Sequence, residues 1–194
     1  MIDPEIYPNV KGLIFDLDGT LADSIPTHIF CWHEACNSFG YIFNEELLIE
    51  MTGMPTRAFA EYIKRDSGCG LSVEEIMKLK QERFYQLAHT IKPIVMMADF
   101  AKKHYGKIPM SIGTGGSKVS SGLILQAIGL KPYFNIIVTS DDVVKHKPEP
   151  DTFLKCAELM GIAPEFCQVF EDGNPGIAAA RAGGMMFTDV RTLF

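Results

Sequence analysis

The sequence contains no CxxC pair, and its five cysteines (Cys31, Cys36, Cys69, Cys156, Cys167) are odd in number and scattered. A secreted disulfide framework shows an even, clustered set, so these read as free thiols in a reducing compartment. No apolar run approaches the roughly 20 residues that span a bilayer. The opening segment MIDPEIYPN is acidic and carries prolines, unlike a signal peptide. Runs of Lys and Arg are missing too, and with a net charge of −6 the chain has no electrostatic footprint for nucleic acid. There is no internal repeat and no low-complexity stretch. These absences lead to the expectation of a cytoplasmic protein with neither membrane nor nucleic acid as partner.

What is present is an ordinary globular composition. Hydrophobic residues make up 47% and charged residues 22% of 194 positions, enough to bury a core without covalent staples. Leu13 to Phe15 is apolar without alternation, the pattern of a strand covered on both faces. Similar runs at 109–114, 134–139, 167–170 and 185–188 predict four more strands. Between them, helices are expected over 117–128, 151–160 and 175–182, each closing at a glycine (Gly129, Gly161, Gly183) that can turn left-handed. Strand and helix in alternation argue for an α/β domain built on a parallel sheet.

Residues 24–91 break that alternation. They read as helices throughout, at 26–39, 44–51, 55–66 and 72–91, the last opening with a Ser72 to Glu75 capping box. Connections between a strand and the next element usually take roughly 2–6 residues, so this segment is an insertion. The expected architecture is a Rossmann-like core, residues 1–23 plus 94–194, carrying a helical cap domain at 24–93. Trp32 and Phe30 read as cap core, and the ten methionines as packing.

The chemistry begins at LIFDLDGTLAD, residues 13–23, where a buried strand ends in two aspartates, Asp16 and Asp18. In a parallel sheet, ligands sit beyond the carboxyl ends of the strands. Thr114 ends the second strand, followed by Gly115; Lys147 follows the third; Glu171 and Asp172 end the fourth. Four carboxylates in one crevice repel, and a hard divalent cation with all-oxygen ligation, Mg²⁺, relieves that repulsion. The lysine, the threonine hydroxyl and a glycine-rich turn entering a helix suit a phosphate. Together they fit phosphoryl transfer to an aspartate.

DLDGT, the segment SIGTGGSK, Lys147 before Pro148 and the pair Glu171-Asp172 resemble, in order and spacing, the four motifs of the haloacid-dehalogenase-like phosphotransferases. The helical insertion looks like the cap of the β-phosphoglucomutase-like subgroup. Within it the chain is similar to small bacterial sugar phosphatases acting on fructose 1-phosphate or 6-phosphogluconate. The resemblance implies that Asp16 attacks phosphorus. Asp18 would protonate the leaving oxygen, later deprotonate water, and lend its backbone carbonyl to the metal. Thr114 would hold phosphoryl oxygens and Lys147 would neutralise charge. Asp172 would ligate Mg²⁺, with Glu171 nearby. His28 matches a cap-hinge histidine that assists proton transfer. Arg57 and Lys118 are candidates to grip the distal part of the substrate, although the mutase's cap arginine aligns with Thr56.

The expected function is therefore an Mg²⁺-dependent phosphatase, a monomer, acting on small phosphorylated sugars. Two alternatives stand beside it. One is a mutase that returns the phosphoryl group to a sugar, and the other is a phosphate-binding module without turnover. A phosphonate hydrolase would need a Schiff-base lysine in the cap, with Lys64, Lys78 and Lys80 as candidates by location.

Overall fold

A computed structural model describes residues 4–51 and 53–193. Five parallel strands form the main sheet: β1 (Gly12–Phe15), β4 (Met110–Gly113), β5 (Ile137–Val138), β6 (Cys167–Glu171) and β7 (Met186–Asp189). Their spatial order is β5-β4-β1-β6-β7. The chain leaves β1 toward β4 and β5 on one side, then crosses to β6 and β7 on the other. The order therefore reverses beside β1, which opens a crevice at the carboxyl end of that strand.

The period of two along β1 sorts its side chains between layers. Leu13 and Phe15 pack in one cluster with Met97, Ala101, Ile124 and Leu125 of helices α5 (Val95–His104) and α6 (Lys118–Ala127). Ile14 points the other way, toward Phe153 and Ala157 of α7 (Asp151–Met160) and Ala179 and Ala180 of α8 (Asn174–Ala182). Both faces of the sheet are therefore covered by helices, as the unbroken apolar runs required.

Four helices occupy the insertion: α1 (Ile25–Asn37), α2 (Glu45–Glu50), α3 (Thr56–Ser67) and α4 (Val73–Leu87). They have a core of their own, built on Trp32, Cys36, Phe59, Ile63 and Ile76. The insertion joins the sheet domain through a two-stranded antiparallel ribbon, β2 (Ala22–Asp23) against β3 (Lys92–Pro93). Ser72 and Glu75 form the expected capping box at the start of α4.

Several expectations change in detail. The strand expected over 134–139 shortens to Ile137–Val138. Helix α5 and the ribbon carry no expected element in the sequence reading. Two-residue strands are too short to show periodicity, and α5 lies against the ribbon where no cap signal marks its start. Helix α4 ends at Leu87 and continues as a 3₁₀ turn over Ala88–Thr90. Gly129 and Gly161 are left-handed as expected, but Gly183 is not (φ −77°), and the left-handed turn falls on Gly184. Phe30 is an outward residue, 44% exposed beneath the Arg83 guanidinium, whereas Trp32 is buried in the insertion's core.

Candidate active site

The carboxyl ends of four strands converge as the sequence pattern predicts. Asp16 follows β1 directly, and its backbone N–H is tied to the Phe170 carbonyl of β6 at 2.9 Å. Glu171 ends β6, and Asp172 and Gly173 lead into α8. Lys147 arrives on the loop after β5, ahead of a cis bond to Pro148. Its ammonium donates to Asp16 Oδ1 at 2.6 Å and to Glu171 Oε2 at 2.7 Å, with all three side chains fully buried. The second oxygen of Glu171 accepts from the backbone N–H groups of Asp172 and Gly173. Thr20 donates to Asp172 Oδ1 at 2.9 Å.

Two glycines make this packing possible. Gly19 sits at φ +86°, and a Cβ there would overlap the Asp172 carboxylate. Gly115 lies directly beneath the Gly53 carbonyl of the insertion, so any side chain there would overlap that backbone. Gly53 also lies close against the Lys147 side chain, which is buried.

The charges are out of balance. Asp16, Glu171 and Asp172 offer carboxylate oxygens within 4.8 Å of one another, against a single ammonium. Burial and the Glu171 carboxylate raise the Asp16 carboxyl well above its ordinary range, although Lys147 opposes them. Burial and Glu171 push Asp172 up to about 7. For Lys147, burial is outweighed by its two carboxylate partners, which hold its proton more tightly than usual. Asp16 Oδ2 is buried and has no hydrogen-bond partner among the described residues. An unpartnered buried carboxylate oxygen is costly, and hard oxygen donors clustered this way fit a small divalent cation. The donor set therefore fits the expected metal through Asp16 and Asp172. Glu171 is the third member of that cluster, with one oxygen accepting from Lys147 and the other from two backbone N–H groups.

Asp18 belongs to a second network. Its Oδ1 accepts from Ser24 Oγ at 2.5 Å and meets His28 Nε2 at 3.0 Å. The His28 ring stacks on Phe84, and its Nδ1 lies 2.8 Å from Lys80 Nζ. An ammonium can only donate, so Nδ1 accepts and the ring proton sits on Nε2, which donates to Asp18. Burial and the Lys80 charge lower the His28 pKa, in agreement with a neutral ring. Burial alone would raise Asp18, but His28, Ser24 and Lys80 outweigh it and hold this carboxyl below its ordinary value. The two aspartates at one strand end are thus driven in opposite directions, and such a separation suits two different tasks.

Ser24, Thr20 and Ser120 carry no expected role in the sequence, and Lys80 only that of a Schiff-base candidate by location. Lys80 did carry a signal: it stands in the buried stripe Ile76, Lys80, Phe84 of α4, where a charge needs a partner. Burial pulls its pKa down to about 8. Between that value and its ordinary 10.5, the folded lysine is neutral while the unfolded one is charged. The unfolded chain then binds more protons, so stability rises with pH across this window. Lys80→Met should flatten that rise, as thermal melts at pH 7 and pH 9.5 would show. The same variant should lose activity through a disordered His28.

A cavity of about 60 Å³ lies between the sheet and the insertion. Asp16, Asp18, Thr114 and Gly115 line it together with His28 and Lys80, and Ile25, Trp32, Met54 and Phe59 add apolar surface beside the hydroxyl-bearing Thr56 and Ser120. Thr114, Gly115 and His28 border it. Arg57 and Lys118 do not. Arg57 is one helical step, about 100°, beyond Thr56. It projects to solvent and pairs with Glu74 at 2.9 Å and Glu61 at 3.8 Å. Lys118 is exposed at the start of α6, where its backbone N–H is fixed by Asp141. Neither borders the cavity.

Comparison with known proteins agrees with this geometry. Residues 13–190 match the family described as haloacid dehalogenase-like hydrolase. The fructose-1-phosphate phosphatase YqaB of Escherichia coli is 39% identical over 189 residues, covering 97% of this chain and 100% of that protein. The β-phosphoglucomutase of Bacillus subtilis is 24% identical, covering 93% and 83%. A variant of CbbY from Rhodobacter sphaeroides, crystallised with xylulose-1,5-bisphosphate, superposes with a TM-score of 0.82 at 23% identity, covering 92% and 84%. With the family pattern running through nearly the whole chain and its motifs gathered at one crevice, the protein belongs to the haloacid dehalogenase-like hydrolases.

Proposed function

We propose that the protein is an Mg²⁺-dependent phosphatase of small sugar phosphates, working through an aspartyl-phosphate on Asp16. The observation that carries this reading is the buried Asp16 carboxylate. One oxygen is held by Lys147 and the other is unpartnered, at the floor of a cavity that also holds Asp18. The similarity to a fructose-1-phosphate phosphatase supports the substrate class.

Asp16 and Asp172, with the Asp18 backbone carbonyl, would hold the metal. When bound, it offsets the repulsion between an anionic nucleophile and an anionic ester. Asp16 forms a bond to phosphorus as the bond to the sugar oxygen breaks, and Asp18 gives its proton to that oxygen. The arriving phosphate dianion lies close to Asp18 and raises its pKa, so a carboxyl that is low in the free site can carry a proton at this stage. Water then attacks phosphorus, its proton passes to Asp18, and the bond to Asp16 breaks to release phosphate. Carboxyl acid-base catalysis of this kind contributes roughly 10²–10⁴-fold. Ser24 and the His28–Lys80 pair orient Asp18. Thr114 and the N–H groups at the start of α6 hold the phosphoryl oxygens, and Lys147 keeps Asp16 in line.

Residues 24–93 act as the cap, and the β2–β3 ribbon is where it moves relative to the core, 1–23 plus 94–194. Closure over Gly115 excludes bulk water during the first transfer. A mutase would need the cavity to hold a sugar with a second phosphate, and its walls offer that group no uncommitted cation.

Phosphate release from a panel of hexose, pentose and triose phosphates tests the reading. Activity with Mg²⁺ that EDTA abolishes is the expected result, and no release from any ester would end it. Mg²⁺ should also raise the melting temperature, and by more at pH 8 than at pH 5. Asp172, raised to about 7, is increasingly ionised in the folded state only above that range, and the cation then removes its penalty.

A further inference from the structure

The hydroxyl of Ser121, on the first turn of α6, is buried and has no hydrogen-bond partner among the described residues. Its surroundings explain why. A serine inside a helix commonly donates back to the carbonyl four residues earlier. Here the Ser117 carbonyl already accepts from the Ser121 N–H at 2.9 Å and from Ser120 Oγ at 3.2 Å. A carbonyl oxygen has two lone pairs, so none is left for Ser121 Oγ.

On its other side Ser121 faces the site across Gly116. A Cβ on that glycine would stand 3.1 Å from Ser121 Oγ, 3.3 Å from Thr114 Oγ1 and 3.6 Å from Asp18 Oδ2. With no side chain there, the three oxygens share one gap. Thr114, Gly116 and Asp18 border the cavity, and Ser121 stands just outside it.

We propose that Ser121 is a positioning residue for phosphoryl binding, its hydroxyl closing onto Thr114 Oγ1 when the phosphoryl group arrives. The inference rests on the phosphatase reading and deepens it. Thr114 Oγ1 already accepts from the Gly116 N–H at 3.0 Å. A hydroxyl carries one proton and two lone pairs. With Ser121 donating to the second lone pair, the Thr114 proton can point only into the cavity, where a phosphoryl oxygen accepts it. The two hydroxyls then form a chain, and each bond polarises the next. Asp18 is the other acceptor on the gap. A donor there would favour its ionised form, against the proton that it must carry to the leaving oxygen. The unpartnered hydroxyl destabilises the empty site and is satisfied in the loaded one, so it adds to phosphate affinity.

Calorimetric titration with inorganic phosphate in Mg²⁺ tests this without turnover. Ser121→Ala should raise the phosphate Kd about fivefold, roughly what one neutral hydrogen bond contributes. Its melting temperature without phosphate should stay level or rise, because the change removes an unsatisfied buried hydroxyl. In a Thr114→Val background the same substitution should alter Kd by less than about twofold, since the acceptor is gone. An unchanged phosphate Kd in Ser121→Ala would overturn the inference. So would an effect that persists at full size in Thr114→Val, which would assign the hydroxyl to Asp18. A fall of several degrees in the Ser121→Ala melting temperature would also overturn it, as the mark of a structural role. If phosphate binding follows the expected pattern but no ester is hydrolysed, the inference stands and the phosphatase reading fails. A wild-type protein that does not bind phosphate would end both.

Discussion

Asp16→Asn should lower kcat/KM by at least about 10⁴-fold while the melting temperature stays level or rises. The loss follows from the role proposed for this carboxylate. An amide cannot form the covalent intermediate, and removing a nucleophile leaves only the acceleration that binding and charge stabilisation provide. The stability half follows from the electrostatics. Asp16 is fully buried, its pKa is driven up by burial and Glu171, and its Oδ2 is unpartnered. An ionised group in that position opposes folding when no metal is bound. Asparagine removes the charge, keeps an oxygen for Lys147, and leaves that ammonium paired with Glu171 at 2.7 Å. Exchanging a buried charge for a neutral group of the same shape is often neutral or stabilising. Differential scanning calorimetry in EDTA, alongside kinetics in Mg²⁺, would check both halves. A variant that kept substantial activity would remove Asp16 from the mechanism. One that lost activity by unfolding would show that the carboxylate supports the fold instead.

Lys147→Ala should be damaging in both respects. Here the change deletes the single ammonium within a cluster of three carboxylates. Breaking a buried pair by removing one partner costs about 3–5 kcal/mol, because the remaining charge has nothing to offset it. For a chain of this size that lowers the melting temperature by roughly 6–20 °C. The alanine also leaves a void beneath Gly53 and beside Phe153, over whose ring Nζ lies at 4.5 Å. The defect should worsen as pH rises. Asp172 is raised to about 7, so between about pH 4 and pH 7 the unfolded chain ionises first and the folded state is penalised progressively, and the raised Asp16 acts in the same direction. Lowering the pH should therefore narrow the gap to wild type, and saturating Mg²⁺ should narrow it further. Thermal melts at pH 5 and pH 8, with and without the cation, would measure this. A drop of less than a few degrees at pH 8 would mean that the ammonium is not what balances the cluster. The paired results are informative together, since Asp16 and Lys147 touch one another and yet should affect stability in opposite senses.

Much of this site could be read along the chain because its parts are local in kind. An apolar run ending in Asp16 and Asp18, with Gly19 to turn the backbone, declares a strand end wherever it falls. The same holds for Thr114 before two glycines and for Glu171-Asp172 before a helix. Parallel-sheet topology then brings every strand end to one edge, so convergence follows from the strand pattern without knowledge of the contacts. Lys80 was legible in principle, as a charge within an apolar helical stripe. Its partner was not, because nothing along the chain ties residue 80 to residue 28.

The sequence by itself determined the parallel sheet, the helical insertion and the carboxylates at the crevice, since hydrophobic period, glycine stops and motif spacing are properties of neighbouring residues. Only the tertiary structure decided which side chains enter the cavity. A turn of 100° along α3 separates Thr56 at the wall from Arg57 in solvent, and the choice between them depends on how the insertion sits on the sheet. The commitment of Glu171 to Lys147 likewise depends on two loops meeting in space, as does the clasp of β2 against β3. Orientation between elements arises from the packing of whole faces, and short stretches of sequence do not carry it.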